Sequence, residues 1–111
     1  MALLAHLYAA TSKKRYLEAA DRFFEFTRRC REDVYCVPPS GKIGWGASLM
    51  YALTGDDKYR QVACTVADYL VESQDECGRW GLDMPPSVPE HVYQDITAEF
   101  VAWLTEIRQH I

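Results

Sequence analysis

A chain of 111 residues that is 49% hydrophobic and 25% charged has the composition of one small globular domain, neither disordered nor built around a membrane span. Its formal charge of −4 and pI near 5.3 exclude the basic face that a nucleic-acid partner requires. Three arginines, Arg28, Arg29 and Arg31, form a local exception that reads as a solvated helix end, where positive charge suits the dipole. Cys30, Cys36, Cys64 and Cys77 show no CxxC spacing, so neither a zinc site nor any other metal or cofactor is expected. Met1 to Ala10 lacks a basic leader segment and is interrupted by His6. It reads as a core helix, and a reducing cytoplasm is the expected setting.

Five helices are expected in chain order. The first, about Ala2 to Ala10, carries Leu3, Leu4, Leu7 and Tyr8 at helical spacing and breaks at Thr11 and Ser12. The second, about Lys13 to Cys30, places Tyr16, Ala19, Ala20, Phe23 and Phe24 on one buried stripe. The third, about Ile43 to Leu53, stops at Gly55, a C-terminal cap. The fourth starts at Asp56 or Asp57 and repeats the stripe with Tyr59, Val62, Ala63, Val66, Ala67 and Leu70. The fifth, about Asp95 to His110, presents Ile96, Phe100, Trp103, Leu104 and Ile107, with Asp95 as its N-cap.

These elements repeat. Leu7 to Asp33 overlies Met50 to Glu76 without a gap at a shift of 43 residues, matching Tyr8 to Tyr51, Thr11 to Thr54, Tyr16 to Tyr59 and Ala20 to Ala63. A period of that size in helical sequence marks a hairpin stacked on copies of itself. The expected organisation is therefore a single helical domain, 1–111, with units at about 1–43 and 44–86 and a half unit at 87–111. Turns within a unit are short, about four residues around Ser12 and Gly55. Those between units are long and hold Pro38, Pro39 and Gly41, then Pro85, Pro86 and Pro89. Long loops on a rigid scaffold are where binding residues gather, so the site is expected there.

The phrase LTGDDKYRQVA and its weaker copy AATSKKRYLEAA resemble the hairpin signature of α/α-toroid proteins, the complete or incomplete (α/α)6 barrels. The resemblance implies an all-α fold of antiparallel helical hairpins, here an incomplete toroid, in a group that includes sugar epimerases, glycoside hydrolases, polysaccharide lyases and triterpene cyclases. The run Tyr69 to Trp80 is also similar to the QW motif of squalene and hopene cyclases. That likeness implies structural roles for Gln74, whose amide ties to an adjacent helix end, and for Trp80, which stacks over it. Arg31 and Val37 occupy those places in the first unit, and the D-x-D-D acid motif of the cyclases is absent.

Sugar chemistry needs carboxylates at the mouth of the site, and Asp83, His91, Asp95 and Glu99 follow the second long loop. Asp95 and Glu99 lie one turn apart on a single helix face, a spacing that suits paired acid/base work, while Asp95 as a cap and Glu99 as a solvated side chain is the plainer account. Trp45, between Gly44 and Gly46, together with Trp80 and Tyr93, would line the site or pack loops onto helix ends. Lys42 would meet an anion at the third helix's N-terminus or stand in solvent. The expected function is that of a domain belonging to, or descended from, an enzyme acting on a small sugar or polyol. A terpenoid-cyclase-like domain and a non-catalytic protein-interaction module are the alternatives. Five helices leave apolar faces open, so the partner is either a second copy or the remainder of a larger toroid. Neither nucleic acid nor membrane is expected as a partner.

Overall fold

The computed structural model describes residues 1–80 and 87–111. It is all-α: helices α1 (Ala2–Thr11), α2 (Lys14–Thr27), α3 (Gly41–Thr54), α4 (Asp57–Glu72) and α5 (Glu90–His110), with no strand among the described residues. A short 3-10 turn, Pro38–Ser40, leads into α3, which therefore starts two residues earlier than its apolar pattern suggests. The glycines blur that pattern.

The two hairpin turns are copies of each other at the level of single hydrogen bonds. Ser12 and Gly55 both adopt left-handed backbone, with φ of 55° and 70°, and each N–H donates to the carbonyl of the tyrosine four residues back, Tyr8 or Tyr51, at 2.7 Å. Thr11 and Thr54 each donate their hydroxyl to the carbonyl one turn earlier, of Leu7 at 2.6 Å and Met50 at 2.7 Å, and accept weakly from the N–H two residues on. Each helix thus ends in one left-handed residue. The links are tighter than four residues, because only Ser12–Lys13 and Gly55–Asp56 lie outside the helices. Such short connections make each pair antiparallel.

α3 is the centre. It packs against α1, α4 and α5, and touches α2. Its glycines set the spacing, since Gly46 lies against Met1 and Ala2, whereas Gly44 lies against Val66 and Ile107 and Gly41 against the Trp103 ring. At 100° per residue these are nearly opposite faces of α3, so α1 and α5 flank it on two sides. The contact of Gly41 with Trp103 and of Gly44 with Ile107 makes α3 and α5 run the same way. α1, α3 and α5 thus form one layer and α2 and α4 a second, and the 21 Å short dimension is that of two helix layers. The core between them holds Phe24, Met50, Val66, Leu70 and Ile107, all fully buried.

Three helix boundaries and one stripe differ from the sequence expectation. α2 ends at Thr27, where tight turns replace the helix: Arg29 N–H donates to Phe26 and Cys30 N–H to Thr27. Phe23, expected inside, is 46% exposed and stacks near Phe26 on the surface, while its counterpart Val66 is buried. Val66 lies beside Gly44 together with Ile107 of α5, whereas Phe23 has the exposed Phe26 as its ring neighbour. α5 begins at Glu90 and not at Asp95: Pro89, in extended backbone, is its N-cap, the Pro89 carbonyl accepts from the Val92 N–H at 3.0 Å, and Glu90 puts a carboxylate in the first turn. Asp95 therefore sits inside the helix and caps nothing.

The outer helices are tied by a polar clamp. Lys58 Nζ reaches Asp21 at 2.7 Å and Glu25 at 3.1 Å, the Tyr59 hydroxyl donates to Asp21 at 2.5 Å, and the Tyr59 ring meets Phe24 edge-on at 4.6 Å. The bond from Lys58, helped by that from Tyr59, holds the Asp21 carboxyl below its ordinary range. Burial, with Asp21 beside it, pushes the Tyr59 phenol up to about 12. Asp21→Asn is expected to cost about 1 kcal/mol, a charged hydrogen bond discounted for its exposure. A carboxyl held low stabilises above its unfolded pKa, so this contribution persists at neutral pH and is lost as pH falls below about 4. A phenol held high works the other way: its contribution is complete below pH 10 and is lost as pH rises toward about 12. Urea unfolding across pH checks both limbs, and in Asp21→Asn the acid limb should flatten.

Candidate functional site

The loop end of the molecule is built from the turn after α4. Asp75 organises it. Its Oδ1 accepts from the backbone N–H of Cys77 and Arg79, each at 2.9 Å, and its Oδ2 accepts from Arg79 Nε at 2.7 Å. The Arg79 backbone bond, backed by the guanidinium, keeps the Asp75 carboxyl below the usual range. Gly78 supplies the left-handed step at φ 83°, and the Gln74 amide donates to the Gly78 carbonyl at 2.6 Å. Gln74 therefore closes its own turn and does not reach a second helix, as the cyclase likeness implies. Trp80 performs the tie: its indole N–H donates to the Leu70 carbonyl at 2.6 Å, satisfying a group near the open end of α4, and its ring packs edge-on against Phe100 at 5.5 Å.

Between this turn and the first half of α5 lies an open cleft of about 370 Å³. α5 is 21 residues, about 31 Å, whereas α3 is 14, and Gly41 at the start of α3 sits level with Trp103. The first turns of α5 thus run on past the paired helices and form one wall. Glu90, Tyr93, Gln94, Thr97 and Ala98 line that wall at i, i+3, i+4, i+7 and i+8, and Cys77, Gly78 and Arg79 line the other. Arg79 spans the two, stacked 5.2 Å over the Tyr93 ring and 3.8 Å from Glu90. The Thr97 hydroxyl accepts from the Trp80 backbone N–H at 3.3 Å, and among the described residues its own proton has no acceptor. Arg79 faces two carboxylates, Asp75 and Glu90, so the cleft carries no surplus positive charge.

Of the residues singled out in the sequence, Tyr93 lines this cleft. His91, Asp95 and Glu99 do fall on one side of α5, at successive turns, but that stripe is solvent-exposed and lies about 100° around the helix from Glu90, Gln94 and Ala98. None of the three makes a side-chain hydrogen bond or ion pair among the described residues. Asp83 lies outside the described residues. Trp80, expected to line the site, is only 3% exposed and is spent on Leu70 and Phe100. Trp45 is half-buried against α1, its ring 6.2 Å from that of His6 and its indole N–H buried without an acceptor among the described residues. The glycines beside it admit Met1, Ala2, Val66 and Ile107, so chain and not ligand occupies that close approach. Lys42 lays its ammonium 5.5 Å over the Trp103 ring, a cation–π contact in place of an anion site.

Sequence reasoning missed Cys77, Arg79, Glu90, Gln94 and Thr97. Pro89 was the available signal: once it is taken as the helix start, the polar spacing from Glu90 to Thr97 marks a second face of α5. Among the described residues no group of three His, Cys, Asp or Glu could hold a metal ion, and no helix is long and apolar enough to cross a membrane. Comparison with protein families, curated proteins and solved structures found no match.

Proposed function

We propose that this chain is an arc of an α/α toroid whose loop end binds a neutral sugar or polyol in the cleft between Arg79 and Tyr93. The toroid reading is supported by the two layers, by the bond-for-bond repetition of the hairpin turns, and by the common direction of α3 and α5. The observation that carries the ligand class is the polar inventory of the cleft. A tyrosine, a glutamine amide, a threonine hydroxyl and an arginine already matched by two carboxylates suit an uncharged, hydroxyl-rich ligand better than an anion. Glu90 is the carboxylate placed to exchange a proton with such a ligand, and the stripe of His91, Asp95 and Glu99 lies beside the mouth.

The cyclase alternative finds less support. The interior between α2 and α4 is filled by Phe24, Tyr59, Ala20 and Ala63, which leaves no room for a polycyclic hydrocarbon there.

The test is saturation-transfer NMR with a panel of neutral mono- and disaccharides and a uronate. The expected result is saturable binding of a neutral member with Kd about 1 mM, the weak end suited to an open cleft. Tyr93→Ala should weaken it tenfold or more, while Glu99→Gln should leave it unchanged. Absence of saturable binding, or preference for the uronate, would overturn the proposal.

A further inference from the structure

The 43-residue repeat assigns a partner to one open side of the molecule, independently of the cleft. In the second unit, the cation–tyrosine pair Lys58–Tyr59 opens α4, with the ammonium 4.8 Å over the ring, and grips Asp21 and Glu25, one turn apart on α2. Arg15–Tyr16 is the copy of that pair at the start of α2. The cation again lies over the ring, at 4.9 Å, but Arg15 Nη2 donates to the Tyr16 hydroxyl at 3.0 Å, where Lys58 and the Tyr59 hydroxyl both donate to Asp21. What differs is the partner. Arg15 forms no ion pair among the described residues, and Tyr16 is half-buried where Tyr59 is 3% exposed.

A second correspondence marks the same side. Gly46 of α3 is where α1 docks, through Met1 and Ala2. The repeat places Leu3 of α1 at the position of Gly46, and Leu3 is 71% exposed, the most open of the large apolar side chains among the described residues. Both layers therefore present, on the face preceding the first unit, the residues that elsewhere in this chain receive a neighbouring unit.

We infer that Arg15 and Tyr16 form a docking surface for an amphipathic helix carrying two carboxylates one turn apart with an aromatic ring beside them, and that Leu3 lies open to a second helix of the same partner, as Gly46 receives α1 while Lys58 and Tyr59 receive α2. The chemistry is specified by charge complementarity that the chain already uses once. Asp21 and Glu25 supply the carboxylates and Phe24 the ring, whose edge meets Tyr59. The exposed arginine gives such a helix a directional anchor and the half-buried Tyr16 ring an apolar one, the part Tyr59 plays against Phe24.

A lactam-stapled, fluorescein-labelled peptide of residues 17–28, LEAADRFFEFTR, reproduces that acidic turn and serves as the probe against the full chain. Saturable anisotropy change is expected, weakened at least tenfold by Arg15→Ala or by Asp21→Asn with Glu25→Gln in the peptide, and unchanged by Arg108→Ala, an exposed arginine elsewhere. Arg15 is exposed, so its removal leaves the fold intact; matching far-UV circular dichroism confirms this for each variant. Binding that Arg15→Ala leaves untouched, or no saturable binding, overturns the inference. Self-association of the chain that Arg15→Ala abolishes, without peptide binding, overturns it also and assigns the face to a second copy.

Discussion

Trp80→Ala should lower stability by about 3–5 kcal/mol, the range for emptying a buried indole site. Three losses combine in that number. The ring leaves a cavity beside Phe100 and Leu70, the Leu70 carbonyl keeps only the Ser73 hydroxyl as donor, and the turn from Gln74 to Trp80 loses its anchor to α4. Trp80→Phe separates them, because it keeps most of the volume and removes only the N–H; about 1–2 kcal/mol is expected. Urea unfolding followed by circular dichroism gives both values. Native-state hydrogen exchange in the Ala variant should show the first turns of α5 opening before the α3–α4 pair. If both variants cost under about 0.5 kcal/mol, the surface range, Trp80 does not staple the loop end.

A comparable loss is expected at Gly44. A Cβ there would lie 2.6 Å from Val66 Cγ1 and 3.0 Å from Ile107 Cδ1, so two helices meet α3 at one point with no space for a methyl group. Gly44→Ala gains about 1 kcal/mol of helix propensity, which offsets part of the strain and leaves a net cost of about 1–2 kcal/mol. Gly44→Val adds branched bulk against α4 and α5 and should cost about 3 kcal/mol or more. Because the strain is shared with Val66, combining Gly44→Ala with Val66→Ala should cost less than the sum of the single changes. Thermal unfolding is a sufficient readout, at about 4 °C per kcal/mol for a chain of this size. Strict additivity would show that Gly44 and Val66 do not meet as described.

These two sites mark what the sequence disclosed and what it concealed. The hairpins were legible because their turns use local chemistry, a threonine followed by a residue able to adopt left-handed backbone, and both copies carry it. A structural role for Trp80 was implied by the likeness of Tyr69 to Trp80 to the QW motif, beside the expectation that Trp80 lines the site. The partner of the Gln74 amide was not, since a bond to the Gly78 carbonyl depends on how Asp75 folds the turn. Gly44 and Gly46 were visible, but their purpose was not: which neighbour a small residue admits is decided by helices far away in sequence.

The cleft was the least legible part. Its two walls come from Cys77–Arg79 and from α5, and only Tyr93 drew attention in advance. Reading Asp95 as a helix cap displaced the start of α5 by five residues and hid the face running from Glu90 to Ala98. The stripe of His91, Asp95 and Glu99 follows correctly from helical spacing. Spacing alone, however, cannot tell which of two adjacent stripes faces the turn after α4. Phe23 shows the same limit from the apolar side, for it obeys the pattern that buries Val66 and is nevertheless 46% exposed.

Backbone amide mapping during titration with the tightest neutral saccharide tests the central claim most directly. The account predicts saturable shifts confined to residues 77–79 and 90–98, with the Gln94 side-chain amide among the most affected and α1, α2 and the Lys58 clamp unmoved. Shifts that centre on Trp45 and α1, or that spread evenly without saturating, would contradict it.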